Sequence, residues 1–481
     1  MKLKKLLIEI PGLEVKGSKE IEIRGLCNNS KLAAPGYLFF AKKGFTQDGA
    51  RFTKEAILSG AVAVVTDFYD PFLQGVVQIV CNNVSKLESL LAERFYGSSS
   101  EKMFLVGVTG TNGKTTCSYL IKHLLDSLKK PCGLIGTIEW IIKDSVFPST
   151  HTTPDILTNH RLLHDMLEAG CKAAVMEVSS HGLDQKRVEG LHFSVAVFTN
   201  LTQDHLDYHK SMEEYAEAKS KLFRALSPTS VAVVNKDSPW TERMLENSSC
   251  KVLTYGFSLD ADVRVEDLTL SADGSSCFIC YKNDKLFFKS PLVGKFNMYN
   301  MLAAVCVGIV AQLDLVEILR VLSSFTAVSG RLERVQNTFG KNIFVDYAHT
   351  EDALKNTLNT LREISQGRLL CVFGCGGNRD KGKRPKMGAV AVEVADEVFV
   401  TSDNPRDESP EEIIREILSG IPKLDHVRVE IDRRVAICEA IKSLGPKDVL
   451  LIAGKGHENT QIFMDHSIHF DDRIVAKEYC K

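Results

Sequence analysis

The stretch from Met103 to Thr116, MFLVGVTGTNGKTT, constrains this chain more than any other. An apolar run, Phe104 to Val108, leads into Gly110-Thr111-Asn112-Gly113-Lys114-Thr115-Thr116 and then a helix-like segment. This order suits phosphate. The glycines let backbone N–H groups converge on an anion, Lys114 adds a positive charge, Thr115 can hold a magnesium ion, and the helix start presents unpaired donors. We read it as an ATP site. The common G-x-x-x-x-G-K-[ST] spacing wants glycine at 108 and meets Val108, so the loop is a variant. The plain alternative, a glycine turn before a solvated lysine, leaves the flanking strand and helix unexplained.

At 481 residues the chain is too long for a single core and divides into about three domains. A formal charge of −2 gives no basic excess for wrapping nucleic acid. Thirteen scattered cysteines without a C-x-x-C pair suit reduced thiols. The start, MKLKKLLIEIPGLEV, has too short an apolar stretch for a signal peptide, and no segment offers about 18 unbroken apolar residues. The expectation is a cytoplasmic enzyme with no membrane span.

Ahead of the phosphate loop, strand-like runs at 37–41 and 61–66 and helical patterns at 52–58 and 84–95 form a first unit, closed by the serines at 98–100. After the loop, apolar runs at 173–178, 194–199 and 230–235 alternate with amphipathic segments, the rhythm of a parallel sheet covered by helices. Ligands gather at the carboxyl ends of such strands. There the sequence places Glu177 and the run Asn200-Leu-Thr-Gln-Asp204-His205, which makes Glu177 and His205 candidates for a magnesium shell beside Thr115.

Ser211 and Glu214 form a capping box for a helix that carries Lys219 in its middle, where a lysine is ordinarily solvated. Thr153 reads as a helix cap with Pro154 as first residue, either a plain cap or an anion site. Residues 252–291 read as a small sheet appended to the domain. Asn297 and Asn300 share a helix face and can offer amides to a base. From Gly330 onward, strand-like runs at 343–346, 369–373, 397–401 and 449–453 form a second open α/β sheet. Its strand ends carry Arg379, Asp403, Asn404, Arg406, Gly454 and Glu458, a set suited to a ligand with both charges, such as an amino acid. A surface ion-pair network is the plain alternative.

Together these stretches resemble the Mur ligases, the ATP-dependent amide-forming enzymes of bacterial peptidoglycan assembly. The resemblance rests on GTNGKTT at 110–116, EVSSHGL at 177–183, TNLTQDHLDYH at 199–209, GKFNMYN at 294–300, GRLE at 330–333 and VDYAHT at 345–350. Further stretches, THTTPD at 150–155, DNPR at 403–406 and GKGHE at 454–458, are similar to the member that adds diaminopimelate as the third peptide residue.

The resemblance implies an α/β fold of three domains: a UDP-sugar-binding domain at 1–98, a central P-loop-type ATP-binding domain at 99–329 and a Rossmann-like amino-acid-binding domain at 330–481. It implies ATP and Mg2+, with UDP-N-acetylmuramoyl-L-alanyl-D-glutamate and meso-diaminopimelate as the other substrates, in a monomer. Gly110 to Thr116, Asn300, Arg331 and Asp346 would contact ATP. Thr115, Glu177 and His205 would hold magnesium, together with Lys219 as its carbamate (N6-carboxylysine). Ser30, Thr152, Thr153, Ser179, Gln185 and Arg187 would grip the UDP-sugar dipeptide, and Arg379, Asp403, Asn404, Arg406, Gly454 and Glu458 the diaminopimelate. Lys114, Glu177, His205 and Lys219 would form the catalytic set. Rival readings are the same chemistry with L-lysine, a folylpolyglutamate-synthase-like ligase, and a nucleotide-gated binding protein without chemistry.

Overall fold

The computed structural model describes residues 1–44 and 48–480. Three large sheets follow one another along the chain. The first has five strands in the order Glu14–Lys16, Val77–Val80, Ala63–Thr66, Tyr37–Phe40, Gly25–Cys27. Helix Val84–Phe95 packs on it through Val84, Leu87 and Leu91.

The second sheet has eleven strands. At its centre Phe104–Thr109 lies between Ala173–Glu177 and Val195–Phe198, parallel to both, and Val106 faces Val175 on one side and Val195 on the other. Residues alternate between two faces. Val106, Val108, Val175 and Val197 pack under helices Lys114–Ser127 and Lys295–Val310, while Leu105, Met176, Ala196 and Phe198 pack under Ile156–Glu168 and Met212–Arg224. Both faces being covered, the central strands are apolar up to their carboxyl ends, where Thr109 and Glu177 stand. The register sets Glu177 opposite Val108 at the carboxyl end of the sheet, next to the phosphate loop.

The third sheet has six strands, ordered Glu333–Arg334, Asn342–Asp346, Val449–Ala453, Leu369–Phe373, Glu397–Val400, Val427–Val429. All thirteen cysteines are free thiols. Among the described residues no helix is long and apolar enough to cross a membrane.

Three local readings are corrected. The strands at 251–290 are not a separate small sheet. Lys251–Gly256 pairs in parallel with Val231–Asn235, and the next three strands extend the same sheet outward. Thr153 is not the helix cap. The helix is Ile156–Glu168, and Asp155, in extended conformation, accepts from Leu157 N at 3.1 Å and Thr158 N at 3.3 Å, which releases Thr153 for other bonds. Lys219 is not solvated. Its helix buries Tyr215, Ala216, Ala218, Leu222 and Phe223, and Lys219 lies on the buried side with 1% exposure.

The third sheet is fastened by one buried ion pair. Arg433, fully buried, binds Asp472 through Nε and Nη2, both at 2.7 Å, and also donates to the carbonyl of Ala453 at 3.0 Å. Removing one member strands a buried charge, which costs about 3–5 kcal/mol. Arg433→Ala is therefore expected to lower the denaturation midpoint of the C-terminal unit in urea by that order of stability, with a smaller loss in Arg434→Ala, whose ion pair with Glu478 is half-exposed.

Candidate active site

The phosphate loop needs its glycines for two reasons. Gly110 (φ +149°) and Gly113 (φ +88°) hold backbone conformations that side chains disfavour, and a Cβ would come to 1.9 Å of Thr199 Oγ1 at Gly110 and 2.4 Å of Asn300 Oδ1 at Gly113. Asn300 thus abuts the loop. Its amide donates to Asn297 Oδ1 at 3.2 Å, and Asn297 in turn donates to Val293 O at 2.9 Å. From the neighbouring strand end, Asn200 takes Asn112 N at 3.0 Å, and Thr199 donates to Asn112 O at 2.7 Å. Thr111 Oγ1 lies 3.2 Å from the Tyr215 hydroxyl. Thr116, on the first helical turn, is buried.

Two lysines converge on one carbonyl. Lys114 Nζ donates to Gly110 O at 2.9 Å and Thr111 O at 2.8 Å, and Lys219 Nζ donates to the same Gly110 O at 2.9 Å. Burial holds Lys219 well below the ordinary lysine pKa, Lys114 adds to the shift, and Asp204 opposes it. Burial also lowers Lys114, against the pull of Glu177 and Asp204. The ring of Tyr215 lies 4.5 Å from Lys219 Nζ and 6.2 Å from the ring of His205, which connects His205 to this group. His205 itself has φ +53°, approaches Asp204 Oδ2 at 3.5 Å and packs edge-on to His181 at 4.9 Å.

Glu177, with no exposure, accepts from Thr115 Oγ1 at 3.0 Å. Thr137 adds two bonds to the same carboxylate, from its N–H at 2.9 Å and its hydroxyl at 3.0 Å. Thr115 and Glu177 are hard oxygen donors side by side, a set that fits magnesium.

Beside them lies a second group. Thr153 Oγ1 donates to Glu177 O at 2.9 Å and takes Ser179 N at 2.9 Å; Arg187 Nη1 donates to Thr153 O at 2.8 Å and Nη2 to Gln185 Oε1 at 2.6 Å. Thr152 joins through Thr137 at 3.0 Å. Ser30 is not in this group. It is buried in the first unit and donates to Glu55 at 2.8 Å, while its neighbour Asn28 reaches Asp155 at 3.2 Å.

The third sheet leans on the loop. Arg331 Nη2 donates to Thr115 Oγ1 at 3.4 Å, Asp352 takes Thr202 Oγ1 at 3.2 Å, and the Arg331 guanidinium lies 4.8 Å from the centre of the Tyr347 ring. Asp346 turns inward, accepting from Leu332 N at 2.6 Å and Ala348 N at 2.8 Å, and burial raises its carboxyl pKa. Gly330, with φ +65°, sits so tightly on the Gly456–His457 backbone that a Cβ would come to 2.1 Å of His457 N.

At the far strand ends, Asn404 donates to Glu458 at 2.8 Å, and the buried Lys455 donates to Asn404 Oδ1 at 3.0 Å and Glu458 at 3.3 Å. Gly454 leaves room for Asp403, whose carboxylate would lie 2.6 Å from a Cβ there. Arg406 (φ +53°) donates to Gly377 O at 2.8 Å and Arg379 to Asn378 O at 3.1 Å. Among the described residues neither guanidinium has a carboxylate partner; both donate to main-chain carbonyls instead. The plain alternative of a surface ion-pair network therefore does not account for the arginines, and the Lys455–Glu458 pair has its lysine buried.

Sequence reasoning missed Thr137, Asp204 and Lys455. Asp204 and Lys455 stood inside runs already singled out. Thr137 follows the strand Cys132–Ile135, whose end is the fourth in the row and carries Gly136-Thr137.

The fold and this site define an ATP-dependent ligase assembled from three α/β units. The chain belongs to the Mur ligase family: residues 22–93 match its family signature "Mur ligase family, catalytic domain", 108–308 "Mur ligase middle domain" and 330–456 "Mur ligase, glutamate ligase domain". A relative from Caldanaerobacter subterraneus subsp. tengcongensis, named UDP-N-acetylmuramoyl-L-alanyl-D-glutamate--2,6-diaminopimelate ligase, is 44% identical over 97% of this chain and 96% of its own. One of the same name from Chlamydia felis is 44% identical over 99% of both chains. A solved structure titled as that ligase superposes with a TM-score of 0.74 at 33% identity, covering 100% of this chain and 98% of its own.

The electrostatics of Lys219 make a prediction. The buried native amine resists protonation, whereas the unfolded chain binds a proton up to the ordinary lysine range, so the residue destabilises the fold most at low pH and progressively less as pH rises toward 10.5. Lys219→Met is expected to abolish ligation yet raise the thermal midpoint, with a gain that shrinks between neutral and alkaline pH. A midpoint that falls at neutral pH is the contrary result.

Proposed function

We propose that this chain joins meso-2,6-diaminopimelate to UDP-N-acetylmuramoyl-L-alanyl-D-glutamate at the expense of ATP, acting as a cytoplasmic monomer. Residues 1–98, 99–329 and 330–481 would serve as the UDP-sugar, ATP and amino-acid domains. The observation that carries the reading is the pair of guanidiniums, Arg379 and Arg406, without carboxylate partners among the described residues, in the C-terminal unit whose Arg331 reaches the phosphate loop. A planar fork suits a carboxylate, and diaminopimelate has one at its distal end where lysine has none. Asp403, Asn404 and Glu458, with Gly454 giving access, would receive the distal ammonium.

The chemical obstacle is that a carboxylate is a poor electrophile. The γ-carboxylate of the D-glutamate attacks the γ-phosphorus of ATP, giving an acyl phosphate and ADP. The diaminopimelate amine then attacks the acyl carbon, loses its proton to solvent, and expels inorganic phosphate as the amide forms. Lys114 would exchange Gly110 O and Thr111 O for phosphate oxygens, with Thr111, Asn112, Thr116, Asn300, Arg331 and Asp346 shaping the nucleotide site. Thr152, Thr153, Ser179, Gln185 and Arg187 orient the dipeptide, and Ser30 shapes the uridine end. Magnesium would be held by Thr115, Glu177 and His205, supplying charge neutralisation for the transferring phosphoryl group. A neutral Lys219 amine can take up CO2 to become a carbamate with loss of a proton, turning an uncharged amine into an anionic oxygen donor.

Phosphate release is expected only when ATP, the UDP-linked dipeptide and diaminopimelate are all present. L-Lysine in place of diaminopimelate is expected to give little release; equal rates would favour the lysine-adding alternative, and turnover of a folate substrate the folylpolyglutamate-synthase-like one. Arg406→Ala is expected to raise the KM for diaminopimelate about 10- to 100-fold, the worth of about 1.5–3 kcal/mol for hydrogen bonds to a charged group.

A further inference from the structure

We infer that Thr137 is a positioning residue that aims the Glu177 carboxylate and links it to the substrate-side hydroxyl of Thr152. The inference deepens the reading above and rests on it for the identity of the substrate.

Strands Cys132–Ile135 and Ala173–Glu177 run in parallel with Ile135 opposite Met176, which carries Gly136 and Thr137 past Glu177. Gly136 is open enough for this approach, since a Cβ there would lie 2.5 Å from Glu177 Oε1. Thr137 N then donates to Oε1 at 2.9 Å and Thr137 Oγ1 to Oε2 at 3.0 Å, so one residue holds both oxygens of the carboxylate. Thr115 touches only Oε2, at 3.0 Å. Two donors on two oxygens fix the rotation of the carboxylate, which a single donor cannot do.

The Thr137 hydroxyl has a second neighbour, Thr152 Oγ1 at 3.0 Å. A hydroxyl carries one proton. Thr137 is the donor toward both Thr152 Oγ1 and Glu177 Oε2, so its single proton is shared between the two acceptors and links them in one row. Glu177 has no exposure, whereas Thr152 is half-buried and lies beside Thr153, in the group that would take the dipeptide. A substrate group that donates to Thr152 leaves the Thr137 proton to Glu177, and one that takes the Thr152 proton makes Thr152 the stronger acceptor and draws the Thr137 proton away from Glu177. Occupancy of the dipeptide site thereby changes how firmly Glu177 is held, with no movement of the backbone.

Thr137→Val retains the shape and the N–H bond but removes the hydroxyl. Losing such an outer contact to a metal-holding group costs about 10- to 100-fold in affinity or activity. In the full chain, kcat is expected to fall by that factor with the dipeptide KM changed less than about threefold, and Mn2+ binding, titrated by electron paramagnetic resonance with a non-hydrolysable ATP analogue, to weaken about tenfold. Thr137→Ser restores both. Thr152→Ala on the Thr137→Val background is expected to cost less than on wild type, since the row is already broken. Unchanged Mn2+ affinity in a folded Thr137→Val protein overturns the inference, as does additivity of the two substitutions. Wild-type protein that binds Mn2+ but releases no phosphate with the UDP-linked dipeptide and diaminopimelate would instead remove the substrate reading, leaving the Mn2+ comparison to decide the role of Thr137.

Discussion

Two lysine side chains share the carbonyl of Gly110, and much of the molecule is arranged around that fact. Among the described residues neither Lys114 nor Lys219 has a carboxylate in direct contact; each is held by main-chain oxygen, in a place where burial disfavours its charge. Burial and then the neighbouring Lys114 disfavour a proton on Lys219, so the charge of one lysine keeps the other ready to be a neutral amine. The strand–loop–helix geometry brings in Lys114, and the buried face of a different helix, Met212–Arg224, brings in Lys219, so the arrangement exists only when the central sheet is covered on both faces.

The other units converge on the same place through few contacts. Arg331 and Asp352 reach the loop region from the third sheet, and Asn28 reaches Asp155 from the first. Tyr347 lies between Arg331, which reaches the phosphate loop, and the strand-end charges of the third sheet: its ring touches the Arg331 guanidinium, its hydroxyl pKa is raised first by burial, and Glu458 and Asp403 are among the charges acting on it. A reaction in which one site makes an unstable acyl phosphate and another delivers the amine requires such convergence, because water competes for the intermediate.

Much of this was legible in the sequence where a local pattern has a single physical reading. The helix Val84–Phe95 and the strands Leu369–Phe373 and Val449–Ala453 lie where periodicity placed them, and Ser211 caps its helix by accepting from Glu214 N. Legibility failed where two local solutions were equally good. Thr153 and Asp155 are both fit to cap, and only the path of the chain past Glu177 decides between them. It failed again where tertiary contact sets the outcome. Nothing near Lys219 in sequence reveals that its side of the helix faces the phosphate loop, and Thr137 becomes meaningful only once the sheet order sets Cys132–Ile135 beside Ala173–Glu177. The residues Arg379, Asp403, Asn404, Arg406 and Glu458 were readable as strand-end charges and amides, but the pairing of Lys455 with Glu458, and the lack of a carboxylate partner at Arg379 and Arg406 among the described residues, was not.

Gly330 lies directly on the backbone of Gly456 and His457, and a Cβ on Gly456 would in turn come to 2.8 Å of Gly330 O. The connection between the second and third units is therefore wedged against the same turn that leads to Glu458. A rotation at that connection cannot leave the turn behind: the joint and the gripping end of the arm are one stiff piece. Swinging the unit would carry a held amine through a fixed arc, with aim set by the pivot and not by flexible loops at its tip.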